Sequence, residues 1–70
     1  MNMNKEVQLY DNMIETEDLI ESIQGRVYGF TTIPLEERDQ ISKLLYEARM
    51  RLVDHSNRLG SSLVVMGAFD

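Results

Sequence analysis

The sequence predicts an all-α protein: a helical hairpin in which an N-terminal helix, or two short ones, is joined by a loop to a long C-terminal helix, with several copies assembling as a homo-oligomer. Three observations carry this expectation. Apolar residues in the second half recur at helical steps, helix punctuation brackets that run, and the run is long for a single domain of 70 residues.

The C-terminal helix is the clearest element. Ile41, Leu45, Ala48, Leu52, His55 and Leu59 follow one another at steps of four, three, four, three and four, which holds six side chains in one narrow stripe. Pro34 suits a first helical turn because its missing N–H would be unpaired there, and Glu36 and Glu37 favour the positive end of the helix. Gly60 suits the left-handed residue that closes a helix. These signals predict a helix over 34–59. The stripe is a heptad seam with a single polar member, the role in which one buried polar residue fixes register between helices.

Length makes the seam an interface. A helix over 34–59 is about 39 Å long, whereas a compact domain of this size has a radius of gyration near 11 Å and a diameter of roughly 28 Å. The expected rod therefore projects, and another copy of the chain is the economical cover for its apolar stripe.

The N-terminal arm is helical with a wandering apolar face. Met3, Val7, Tyr10, Met13 and Ile14 form one stripe, and Leu19, Ile20 and Ile23 another turned by well over 90°. Thr16, Glu17 and Asp18 resemble a helix start, so two short helices and one long helix both fit. Between the arms lies GRVYGFTTI, whose β-branched and aromatic residues favour extended backbone; with Leu63–Met66 it offers a minor two-stranded sheet as the α+β alternative. The preferred reading is a loop that plugs the open end of the hairpin with Val27, Tyr28, Phe30 and Ile33. The last residues, LVVMGAF, are expected to be buried in the assembly, with Ser56, Gly60 and Gly67 forming a small-residue groove that lets a helix approach.

Composition narrows the function. Twelve acidic against seven basic residues and no cysteine leave no disulfide framework, no thiolate metal site and no concentrated positive surface for nucleic acid. The longest apolar run is far short of the roughly 18 residues that cross a bilayer, and a cytoplasmic setting is the default expectation. A single histidine among scattered serines supplies no converging nucleophile, base and orienting group, so no catalytic, cofactor or metal site is expected. Glu15, Glu17, Asp18 and Glu21 fan around their helix rather than forming one row, which reads as a solvated surface.

Two candidate binding sites remain. Tyr28 and Phe30, on a glycine-flanked loop, are placed to present aromatic anchors to a protein partner. Arg51, His55 and Arg58, at i, i+4 and i+7, bring three donors to one edge of the seam, where they suit a phosphate or carboxylate. The expected function is thus a small non-enzymatic binding protein, an inhibitor or adaptor acting on a protein partner. The alternative is an oligomeric sponge that sequesters an anionic small molecule such as a nucleotide. In general profile, short, acidic, helical and without chemistry, the single 1–70 domain resembles small inhibitors and adaptors of bacterial viruses and other mobile elements.

Overall fold

The computed structural model describes residues 4–69. Helix α1 spans Asn4–Arg26 and helix α2 spans Leu35–Val65, joined by a 3-10 turn at Val27–Gly29 and a short loop. No strand occurs among the described residues. The β-branched and aromatic stretch closes on itself: the N–H of Phe30 donates to the carbonyl of Val27, that of Thr31 to Gly29 and that of Ile33 to Phe30. These local bonds consume the donors a sheet would need, so the two-stranded alternative is not formed.

Helix α1 is a single helix. Of the two arrangements the sequence allowed, the one without a break at Thr16 is formed: the Thr16 hydroxyl donates to the carbonyl of Asn12, four residues back, at 2.7 Å, instead of capping a new N-terminus. Met3, counted in the first apolar stripe, lies outside the described residues.

The two helices are antiparallel. Tyr28 meets Asp39, Glu21 meets Arg49, Glu17 meets Ser56 and Tyr10 meets Gly60, so that numbers fall along α1 as they rise along α2. The molecule measures 51 × 15 × 13 Å with a radius of gyration of 15.9 Å. The single hairpin is therefore not the compact globule from which the expected rod would project. At 31 residues, or about 46 Å, α2 is longer than expected, yet α1 runs beside it and the monomer is itself a rod.

Helix α2 also ends later than its expected stop. Gly60 lies inside the helix because a Cβ there would stand only 2.9 Å from Cε2 of Tyr10; the residue provides space, not a turn. The helix closes at Gly67, at φ 73°, where the N–H of Ala68 donates to the Leu63 carbonyl and that of Gly67 to Val64. This is the six-to-one and five-to-two bond pair of a left-handed C-terminal cap. Ser56 and Gly60 do form a small-residue groove, and the helix that enters it is the chain's own α1.

Candidate functional site

The line of α2 that faces α1 is Arg38, Ser42, Leu45, Arg49, Leu52, Ser56, Leu59 and Leu63, again at steps of four and three, and every member is buried or half-buried. It shares Leu45, Leu52 and Leu59 with the expected seam. The remaining seam residues, Ile41, Ala48 and His55, are exposed. The seam thus divides: its leucines lean on α1 while its other three members form a flank beside them. On α1 and the turn that follows it the matching line is Tyr10, Met13, Glu17, Ile20, Gln24 and Val27.

Polar residues punctuate this contact line and set its register. Glu17 is only 8% exposed, and its Oε1 accepts from the Ser56 hydroxyl at 2.6 Å. The same hydroxyl stands 3.0 Å from the Val53 carbonyl; having one proton, it gives it to the nearer, charged acceptor. Arg49 and Glu21 approach at 3.9 Å, a long contact between partly solvated groups that adds little. Arg38 and Arg49 are half-buried, and the Nε of each is buried without a hydrogen-bond partner. At the far end the ring of Tyr10 packs edge-on to Phe69, with centroids 5.7 Å apart.

Because the helices are antiparallel and both right-handed, stepping back one residue from the contact line turns the side chain by about 100° to the same side on each. One step back from Tyr10, Glu17 and Gln24 are Leu9, Thr16 and Ile23; one step back from Ser42, Arg49 and Ser56 are Ile41, Ala48 and His55. All six are exposed, and the same step from Met13, Ile20, Val27, Arg38, Leu45, Leu52 and Leu59 adds exposed Asn12, Leu19, Arg26, Glu37, Leu44, Arg51 and Arg58. The opposite step gives Asp11, Asp18 and Gly25 with Lys43, Met50 and Asn57, also exposed and largely polar. With the remaining members of the line included, both flanks of the hairpin mix exposed apolar and charged side chains.

The hairpin tip presents the loop aromatics. Val27 is buried and Ile33 half-buried, as a plug requires, but Tyr28 and Phe30 are exposed, Phe30 to 55%. The Tyr28 hydroxyl donates to Asp39 Oδ1 at 2.6 Å, and Arg38 donates to the Tyr28 carbonyl at 2.9 Å. The Asp39 carboxylate that accepts this proton holds Tyr28 above the usual tyrosine value of about 10. The neutral phenol is the bonded form, so the contribution of this bond is complete below about pH 10 and is lost as pH rises through the raised value. Replacing Asp39 with Asn should bring the Tyr28 titration down in pH, read from its ring-carbon NMR shift.

Arg51, His55 and Arg58 are all exposed, and Arg58 is taken by Asp54 in an i,i+4 pair at 2.9 Å. Pair formation of this kind on the same edge weakens the anion cluster that spacing suggested. A groove of about 560 Å³ opens at the other end between Tyr10, Gly60, Val64 and Phe69. No group of three His, Asp or Glu among the described residues is arranged to hold a metal, and no described helix is long and apolar enough to cross a membrane. Comparisons with protein-family models, curated proteins and solved structures find no match to this chain.

Proposed function

We propose that this chain is a non-enzymatic, self-associating helical protein that acts as an inhibitor or adaptor on a protein partner. One observation carries the reading. Among the described residues only Val27 and Leu63 are buried large hydrophobics, while fifteen large hydrophobics are exposed. A two-helix hairpin has no third layer, so apolar residues beyond the single contact line stay in water unless other chains cover them.

The division of labour follows from position. The flank of α2 with Ile41, Ala48 and His55, edged by the half-buried Leu45, Leu52 and Leu59, supports contact between copies. The tip supports contact with a different protein: Tyr28 is fixed at both its hydroxyl and its carbonyl, which lowers the ordering cost of binding, and Phe30 stands beside it. Net charge of −5 favours a partner surface with basic character. The sponge reading retains Arg51 and His55 but shares Arg58 with Asp54, and we place it second.

Immobilised protein should retain a host protein from lysate, and the Tyr28→Ala, Phe30→Ala double variant should lose it while keeping helix content and mass unchanged. Equal retention by both forms would remove the tip from the account.

A further inference from the structure

The tip of the hairpin is held by a bond that its own backbone does not supply. The turn after α1 satisfies most of its carbonyls locally: Val27 receives the N–H of Phe30, Gly29 that of Thr31, and Phe30 that of Ile33. The Tyr28 carbonyl takes its donor from α2 instead, Nη1 of Arg38 at 2.9 Å. Asp39, the next residue of α2, accepts from the Tyr28 hydroxyl at 2.6 Å. Two adjacent residues near the start of α2 thus grip one residue of the turn at both its backbone and its side chain.

Helix pairing alone gives no reason for an arginine at position 38. Arg38, Leu45, Leu52 and Leu59 are seven apart, so a leucine at 38 would continue the row that leans on α1. A guanidinium stands there instead, half-buried, with its Nε buried and unmatched among the described residues. An unmatched buried donor weakens the packing in a way that an apolar side chain would not. What the arginine gains is its position at the C-terminal end of α1 and its turn, where the aligned carbonyls favour positive charge and where the Tyr28 carbonyl is within reach.

We infer that Arg38 and Asp39 form a clasp that fixes the hairpin tip in one conformation, Arg38 doing so at the expense of helix pairing. The inference rests on the tip reading above for its use, and it gives the two aromatics different parts. Tyr28, engaged at both its carbonyl and its hydroxyl, is a positioning residue. Phe30, 55% exposed and tied by its N–H to Val27, is the aromatic presented to a partner. A tip ordered beforehand loses less freedom on binding. Such a clasp differs from an ordinary core contact in one measurable respect: its removal loosens the tip and leaves the helix pair as firm as before or firmer.

Amide hydrogen exchange followed by NMR tests this on the full chain without any partner. In Arg38→Leu, exchange at Phe30, Thr31 and Ile33 should rise roughly tenfold or more, because local opening frees those N–H groups without global unfolding. Exchange at Leu52 and Ser56, in the middle of the helix pair, should stay unchanged or slow. Tyr28→Phe removes the Asp39 half of the clasp at an exposed position, and so reads the tip even if Arg38→Leu does not fold; it should accelerate the same three amides and spare the same two. Tip amides that exchange at the parent rate in a folded variant, or that accelerate only together with Leu52 and Ser56, would overturn the clasp. Selective loosening of the tip in a chain that retains no partner would support the clasp and remove only its proposed use.

Discussion

Replacing Leu63 with Ala should abolish the cooperative unfolding transition of the hairpin. Leu63 is completely buried, at 0% exposure, at the end of α2 where its own carbonyl receives the Ala68 N–H that closes the helix. Truncating a buried leucine costs about 2–5 kcal/mol through lost transfer energy and the cavity left behind. A core as small as this one supplies little more than about 3–5 kcal/mol in total. The loss therefore matches the stability available. Circular dichroism during urea titration should show a broad, non-cooperative decline for Leu63→Ala, whereas Val65→Ala, at a position 87% exposed, should stay within about 0.5 kcal/mol of the parent. Parent-like cooperativity in Leu63→Ala would mean that the hairpin is held by something other than this contact.

Placing Glu at Ala48 should dissociate the assembly. Ala48 is exposed in the single hairpin and lies one step off the line that touches α1, so a longer side chain there disturbs no contact within the chain. Glutamate is also a good helix former. Between two copies the same side chain brings a carboxylate into the seam between Leu45 and Leu52, at a cost of roughly 2 kcal/mol or more for each unpaired group. Two-fold symmetry imposes it twice, which weakens association by about a thousandfold. A gain-of-charge control at Asn57 to Glu, on the opposite flank, should leave the mass unchanged.

The helical hairpin was legible in the sequence because Leu45, Leu52 and Leu59 repeat every seven residues and survive as the shared edge of both stripes. The line that joins the helices was not, since Ser42, Arg49 and Ser56 on α2 and Glu17 and Gln24 on α1 interrupt it with polar side chains. A hydropathy pattern discards such residues, although Glu17 and Ser56 form the buried hydrogen bond that sets the register. Gly60 illustrates a second limit. Local propensity marks glycine as a helix end, but whether it ends a helix or admits a ring depends on Tyr10, fifty positions earlier in the chain. The same non-local dependence hid the exposure of Tyr28, which the Asp39 and Arg38 contacts hold at the surface of the tip.

The account turns on whether one hairpin is content alone in water. Its central measurement is the mass of the unmodified chain by sedimentation equilibrium across a dilution series, with melting followed at each concentration. The chain mass is 8.1 kDa; a mass at least twice that, falling on dilution together with the melting temperature, is the predicted result, because association linked to folding makes stability depend on concentration. A constant single-chain mass with one concentration-independent, cooperative melt would contradict it.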